Sequence, residues 1–166
     1  MRGGALLALR LVLVLVFVFL AGSPATGDGL LSGKVVGVTD GDTVTVLSGS
    51  AQVKVRLWGI DCPEGGQPYG KAAKRHASDL CFGRVVEVRT KNVDQYGRVV
   101  GEVLLPGGRS VNREMVRAGF AWWYSDYAKK DLELAALERE AKAARRGLWA
   151  DPNPVPPWVW RRARRG

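Results

Sequence analysis

The chain is poor in the residues from which acid–base and thiol sites are usually built. Its 166 residues include one histidine and two cysteines. The histidine, His76, lies between Ala73 and Leu80 on the apolar face of a predicted helix, which favours a packed, hydrogen-bonded imidazole over half of a catalytic pair. Cys81 falls on the same helix and Cys62 in a loop, so the pattern leaves open either a disulfide or two inert apolar side chains.

The chain also lacks an apolar run long enough to span a bilayer. The run from Leu11 to Gly22 is shorter than the roughly 18 to 20 residues that a transmembrane helix requires. It follows two arginines and precedes small residues, a pattern typical of a secretory signal peptide. We expect residues 1–25 to be removed, residues 26–32 to form a linker, and the protein to be secreted. If retained, the leader would instead anchor the protein at the outer face of the membrane or in the periplasm.

Acidic residues are few relative to basic ones. The chain has 25 lysines and arginines against 16 aspartates and glutamates, a net charge of +9. Without residues 1–25 the balance is 23 against 16, a net charge of +7. A surface of this sign attracts polyanions, with nucleic acid the leading candidate ahead of anionic lipid and cell-wall polymer. A merely solubilising surface is the alternative, because charge alone selects no partner.

The order of predicted strands and helices indicates a small barrel. Alternating apolar residues predict five strands, at Lys34–Val38, Thr43–Leu47, Gln52–Leu57, Val85–Arg89 and Arg98–Leu105. Apolar residues at helical spacing predict three helices, over Tyr69–Phe82, Asn112–Gly119 and Leu134–Ala144, with Asn112 as the cap of the second. We therefore predict an α+β, mainly β, domain over residues 33–150: a closed five-stranded barrel with three helices packed against it.

The last 16 residues, 151–166, form a tail rich in proline, tryptophan and arginine. Its prolines cannot continue a helix, so we expect an extended tail. Four of its last six residues are arginines. A solvated basic tail is the default interpretation, and contact of Trp158, Trp160 and these arginines with nucleic acid or a cell surface is the alternative.

Two segments, Thr39–Thr43 (TDGDT) and Arg56–Glu64 (RLWGIDCPE), concentrate the reactive side chains. They hold four carboxylates and an arginine within 25 residues: Asp40, Asp42, Asp61, Glu64 and Arg56. Carboxylate oxygens suit calcium better than zinc, a carboxylate can accept a proton from water, and a guanidinium can bind two phosphate oxygens. The first segment alone would be read as a tight turn. Together the two segments are typical of metal-assisted phosphodiester hydrolysis.

With Asp94–Arg98 (DQYGR), the same segments resemble the staphylococcal nuclease family in order and spacing, over residues 33 to about 150. The resemblance implies an oligonucleotide/oligosaccharide-binding (OB) barrel with three helices. It also implies calcium-dependent hydrolysis of DNA and RNA. By the same resemblance, Asp42, Asp61 and the backbone carbonyl of Cys62 would bind Ca²⁺, and Glu64 would be the general base for the attacking water.

The resemblance assigns the remaining site residues to substrate. Arg56 and Arg98 match the two arginines that hold the phosphate, and Tyr96 matches a residue that hydrogen-bonds a terminal phosphate. Gln95 departs from the lysine often found beside that tyrosine, which weakens one electrostatic contact to substrate. Tyr124 and Tyr127 lie where family members present aromatic rings to a base. The adjacent tryptophans fit packing under the third helix equally well.

These observations predict a secreted, monomeric, calcium-dependent nuclease that cuts single-stranded or locally melted DNA and RNA with low sequence specificity. The resemblance implies release of the 5′ oxygen, which leaves 3′-phosphate products. The alternative is an OB module that binds single strands without cutting them. Loss of the acids would mark such a module, whereas all the expected carboxylates and arginines are present.

Overall fold

The computed structural model describes residues 30–165, so the predicted signal peptide lies outside the described residues. In chain order the elements are β1 (Leu30–Asp40), β2 (Thr43–Ser48), β3 (Ala51–Leu57), β4 (Ile60–Asp61), α1 (Gly70–Cys81), β5 (Val85–Val93), β6 (Val99–Leu104), α2 (Val111–Arg117), β7 (Trp122–Trp123), α3 (Ser125–Ala128), α4 (Leu132–Ala143), a 3₁₀ turn (Gly147–Ala150) and α5 (Pro157–Ala163). No helix within this part of the chain is long and apolar enough to cross a membrane.

Five strands close into a barrel, as the sequence predicted, and their order is β1-β2-β3-β6-β5. Neighbouring strands are antiparallel except β3 and β6, which run parallel with Val55 beside Val99. Alternate residues of each strand point inward, so the valines fill the interior and the polar residues between them face out. The fully buried valines of the strands are Val35, Val44, Val46, Val55, Val86, Val88 and Val103.

A second, two-stranded sheet lies beside the barrel and carries one of the predicted metal ligands. In it β4 pairs antiparallel with β7, so that Ile60 lies opposite Trp123 and Asp61 opposite Trp122. The pairing fixes the backbone of Asp61 next to the aromatic segment that precedes α3. Helices α1, α2 and α4 pack their apolar residues on the same hydrophobic core as the barrel.

The predicted cap of the second helix is wrong. Ser110 caps α2, and its hydroxyl oxygen accepts a hydrogen bond from the N–H of Arg113 at 3.3 Å. Asn112 lies inside the helix and is buried. Its amide donates to the carbonyls of Trp58 (2.9 Å) and Gly101 (3.2 Å), and its side-chain oxygen accepts from the N–H of Val103. Asn112 therefore ties the end of β3 to β6 instead of capping a helix.

The predicted extended tail is also wrong, because its last part forms α5. Pro156 and Pro157 stand at the cap and at the first position of this helix, where the missing N–H of a proline costs no hydrogen bond. The prolines therefore start the helix, and residues 151–156, which precede it, are irregular. The ring of Trp158 lies 5.7 Å from that of Trp122, so α5 folds back onto the small sheet.

Both cysteines are buried as free thiols, which resolves the alternative that the sequence left open. The thiol of Cys81 donates to the carbonyl oxygen of Ala77 at 3.1 Å within α1. On the same helix His76 packs against Phe120 with 4.9 Å between ring centroids, as predicted, but within residues 30–165 its imidazole makes none of the hydrogen bonds that were also expected.

Candidate active site

Three strands bring two aspartates and one arginine together at one end of the barrel. Asp42 lies in the turn between β1 and β2, Arg56 lies on β3 opposite Thr43, and Asp61 ends β4. The guanidinium of Arg56 donates from Nη1 to Oδ1 of Asp42 and from Nη2 to Oδ1 of Asp61, the latter at 2.7 Å. Arg56 therefore bridges two carboxylates that are 19 residues apart in the sequence.

Backbone groups hold Asp42 in place. Its Oδ2 accepts a hydrogen bond from the N–H of Cys62 at 2.6 Å, and its own N–H donates to Oδ1 of Asp40 at 3.2 Å. The preceding residue must be small, because a Cβ at Gly41 would lie 2.8 Å from the Cβ of Cys62 and 3.0 Å from that of Ala73. The TDGDT turn thus packs closely on the loop that carries Asp61 and Cys62, and it places the Asp42 carboxylate next to that loop.

Burial sets the electrostatics of this pair of carboxylates. Asp42 is 2% exposed and Asp61 is fully buried. Burial raises the pKa of Asp42 to about 8, against the lowering effect of Arg56 and with a further raising effect from Asp40. Burial by itself lowers the pKa of Arg56. The charges of Asp42 and Asp61 outweigh this effect and raise the pKa of the guanidinium above its ordinary value. Arg56 thus offsets only part of the cost of burying the charged form of Asp42.

This donor set fits a hard divalent cation. Among residues 30–165, no group of three or more histidine, cysteine, aspartate or glutamate side chains lies close enough together to hold a metal ion. Asp42 and Asp61 nevertheless provide carboxylate oxygens beside the backbone of Cys62, with no nitrogen or thiolate ligand among them. Two carboxylates with water completing the coordination are a site that Ca²⁺ or Mg²⁺ accepts.

Glu64 lies three residues beyond Asp61, at the solvent-facing edge of the site. Its N–H donates to the side-chain oxygen of Gln67 at 3.1 Å, and its carbonyl accepts from the N–H of Gln67 at 2.8 Å. A Cβ at Gly70 would lie only 1.8 Å from that carbonyl oxygen, so the start of α1 can pack here only with glycine. The side chain of Glu64 is 40% exposed, whereas that of Asp61 is fully buried.

An arginine that sequence reasoning left in the solvated tail completes the site. Arg161, on α5, donates from Nη2 to Oδ2 of Asp61 at 2.7 Å and from Nη1 to Oε1 of Glu64 at 2.7 Å. Its Nη1 also lies 3.2 Å from Oδ1 of Asp61. The site therefore contains three carboxylates and two guanidinium groups. A contact across 100 residues leaves no local periodicity or spacing, so the only available signal was the basic composition of the tail.

Arg98 and Tyr96 lie on the turn between β5 and β6 and contact Asp94 rather than the acidic cluster formed by Asp42, Asp61 and Glu64. Arg98 donates from Nε to Oδ2 of Asp94 at 2.7 Å, and the N–H groups of Tyr96 and Arg98 donate to Oδ1. Arg56 lies beside Val100 in the parallel β3–β6 pair. Arg98 precedes Val100 by two residues and so belongs to the face of the sheet that carries Arg56.

The candidate aromatic residues lie on the side of the site that α5 covers. The ring of Tyr124 stacks on Trp158 with 5.3 Å between centroids and 8° between planes, and Tyr127 lies 4.9 Å from Tyr124 at 52°. Tyr127 is 71% exposed, as is Tyr96. Burial, followed by the charge of Asp61, raises the pKa of Tyr124. Tyr124 is thus close to the acids but already covered by a ring of the chain itself.

Comparison with known proteins identifies a family for this arrangement. Residues 54–151 match the family model described as staphylococcal nuclease homologue. The chain is 44% identical over 168 residues to a micrococcal nuclease of Shigella flexneri, which covers 96% of this chain and 95% of that protein. It is 45% identical over 131 residues to an uncharacterized endonuclease of Escherichia coli, covering 79% and 85%.

A more distant relative is a probable staphylococcal-like nuclease, CAN3, of Oryza sativa subsp. japonica, 36% identical over 146 residues that cover 84% of this chain and 37% of that protein. The family match includes Arg56, Asp61, Glu64 and Arg98. Asp42 lies before the matched residues 54–151, and Arg161 lies after them.

Proposed function

Since this chain belongs to the staphylococcal nuclease family, we propose that it is a calcium-dependent nuclease that hydrolyses DNA and RNA with low sequence specificity at the acidic cluster. Membership of the family makes it a hydrolase of nucleic acids. The observation that carries the proposal is the bridging of Asp42 and Asp61 by Arg56, with Glu64 at the open edge of the same cluster. We assign the roles of the individual residues from that geometry.

Asp42, Asp61 and the backbone carbonyl of Cys62 would hold the calcium ion. Bound there, the ion supplies Lewis-acid polarisation of a phosphate oxygen. Calcium is favoured because the donors are all oxygens and because a bound cation would stabilise the charged form of Asp42, which burial otherwise disfavours. Magnesium shares this ligand preference but demands stricter octahedral geometry and retains more of its water.

Glu64 is the proposed general base, because it is the one carboxylate of the cluster whose side chain reaches solvent. It accepts a proton from the attacking water as the new bond to phosphorus forms. The bond from phosphorus to the 5′ oxygen breaks, and that oxygen takes a proton from solvent. Arg56 and Arg98, on one face of the sheet, hold the non-bridging oxygens and stabilise the charge that grows on them. The products end in 3′-phosphate.

Substrate binding would rest on charge and stacking. Arg56 and Arg98 contact phosphates, Tyr96 hydrogen-bonds a terminal phosphate, and Tyr124 and Tyr127 stack on bases. Phosphate contacts and ring stacking read no base edge, so low specificity follows. Stacking needs a base that has left its helix, so we propose that single-stranded or locally melted DNA and RNA are preferred over intact duplex. The enzyme acts as a monomer in this proposal.

We further propose that the protein is secreted, from the apolar run at Leu11–Gly22 and the small residues after it. Expression of the full chain in a secreting bacterial host, followed by N-terminal sequencing, tests this. A new N-terminus near residue 26 in protein recovered from the medium is the expected result. An intact Met1 in membrane-bound protein would instead assign the leader as an anchor.

Replacement of Glu64 tests the proposed base. We expect Glu64→Gln to cut denatured DNA about 10²- to 10⁴-fold more slowly than the unmodified chain in millimolar calcium. Excess chelator should abolish cutting by the unmodified chain. Glu87→Gln is the matched control, because Glu87 is exposed on β5 and loses the same charge. It should cut at the normal rate.

Three results would contradict parts of the proposal. Full activity of Glu64→Gln would exclude it as the base, and cutting that ignores the chelator would exclude the metal. Retention of labelled single strands on the unmodified chain without any cutting, at any divalent ion tested, would support the binding-module alternative.

A further inference from the structure

Helix α5 places a positive side chain among the acids of the site. Arg161 contacts both oxygens of Asp61 and one oxygen of Glu64, at 2.7 to 3.2 Å. Oδ1 of Asp61 also accepts from Arg56. Asp61 is fully buried, so its carboxylate has no free, solvated edge. A cation that binds directly to Asp61 must therefore displace at least one of these guanidinium contacts.

The same helix covers the nearest aromatic ring. Trp158 lies flat on Tyr124, 5.3 Å between centroids and 8° between planes, which is the geometry of a base stacked on a tyrosine. Tyr127 lies against Tyr124 as well. One turn of α5 thus presents a ring to Tyr124 and a guanidinium to Asp61 and Glu64. The two side chains thus lie where the proposed function would place a substrate base and a cation.

The packing and hydrogen bonding between α5 and the rest of the protein are incomplete. The helix has seven residues and no side-chain cap, and a helix this short does not persist in water without tertiary contacts. A cavity of about 100 Å³ lies beside it, lined by Trp160, Trp122 and Tyr69 among others. Within residues 30–165 the buried indole nitrogens of Trp122 and Trp160 have no hydrogen-bond partner. These unpaired groups lower the cost of separating α5, and a cation that binds Asp61 would replace the charge that Arg161 withdraws.

We propose that α5 is an autoinhibitory segment in which Arg161 is a further residue of the active site, competing with the divalent cation for Asp61 and shielding Glu64. This inference rests on the proposed function, since it takes Asp61 as a metal ligand. In the docked state Arg161 neutralises the proposed base and Trp158 blocks Tyr124. Cation binding and strand binding both favour the released state, so each promotes the other through α5.

Calcium affinity of the full chain tests the competition without an activity readout. When only the released fraction binds the ion, the measured Kd exceeds the intrinsic one by the reciprocal of that fraction. Isothermal titration of Arg161→Gln with calcium chloride should therefore give a Kd at least about fivefold lower than that of the unmodified chain. Arg162→Gln is the matched control, because Arg162 is exposed on the same helix and carries the same charge. Its Kd should be unchanged within twofold.

Trp158→Ala separates docking from charge, and it serves if Arg161→Gln fails to fold. It keeps every arginine but removes the ring that seats α5 on Tyr124, so it should also lower the calcium Kd. Equal calcium Kd values for the unmodified chain, Arg161→Gln and Trp158→Ala would overturn the autoinhibition and leave the nuclease proposal intact. An unchanged Kd with a raised KM for single-stranded DNA in Arg161→Gln would make Arg161 a substrate ligand, which also overturns it.

A different result would contradict the proposed metal site itself. Absence of calcium binding in the unmodified chain and in both variants would overturn the calcium site and the competition together. Binding by Arg161→Gln alone would support the competition in its strongest form.

Discussion

Arg56 is required at this site by the two buried aspartates that it contacts. Among residues 30–165 it is the only guanidinium that contacts Asp42, and it shares Asp61 with Arg161. Its side chain is 19% exposed, while both aspartates are almost completely buried. Removing one partner of a buried ion pair leaves an uncompensated charge, which costs far more than the pair itself contributes. Arg56 therefore serves folding as well as the chemistry proposed for it.

We expect Arg56→Met to lower the free energy of unfolding by about 3 to 5 kcal/mol. Urea denaturation, with the midpoint and slope fitted together, measures the change. Arg117→Met is the control, because Arg117 pairs with Glu114 through a side chain that is 46% exposed. Exposed pairs of this kind contribute about 1 kcal/mol or less. Similar losses in the two variants would show that the buried acids tolerate their charge without Arg56.

Elements differ in how far local sequence decides their role. Strands β2 and β3 and helix α1 follow from alternation and helical spacing, since each buries one face on the same core. Helix α5 does not, because its prolines forbid a continuing helix but permit one that begins with them. Its docking depends on rings and acids supplied by β7 and β4. It is thus the element on which the proposed regulation depends.

Considered as a whole, the molecule combines a net charge of +9 with an acidic centre. The acids lie at one end of the barrel. Exposed Arg162 lies on α5, which covers them, and exposed Arg164 and Arg165 directly follow that helix. A positive exterior raises the local concentration of polyanions around a site that would itself repel them. Binding of substrate should therefore depend strongly on salt.

We expect the Kd for a fluorescent single-stranded oligonucleotide to rise about tenfold or more between 50 and 200 mM NaCl. The physical reason is that each neutralised phosphate releases condensed counterions, with a log–log slope of about −0.7 per contact for single strands. Fluorescence anisotropy of Glu64→Gln with calcium present measures binding without cutting. A Kd that stays constant over this range would indicate that stacking on aromatic rings, and not phosphate contact, dominates affinity.

Much of the fold and part of the site could be predicted from the sequence. The five strands and three main helices follow from periodicity. The grouping of Asp42 with Asp61 follows from their place at strand ends, and the family resemblance added Arg56 and Glu64. The cap of α2 could not be distinguished, because Ser110 and Asn112 are both good capping residues and only burial separates them. The covering of Tyr124 by Trp158 could not be predicted either, since no local pattern relates them.

By itself the sequence determined the barrel, the family and the acids of the site. Backbone periodicity and short motifs each involve only a few consecutive residues, so they can be recognised in the local sequence. Only the tertiary structure decided that the guanidinium of Arg161 contacts those acids. Arg161 reaches Asp61 only after residues 151–156 reverse the chain and Trp158 seats α5 on Tyr124. Such a contact depends on packing between segments 100 residues apart, and packing of that kind leaves no mark on the local pattern of either segment.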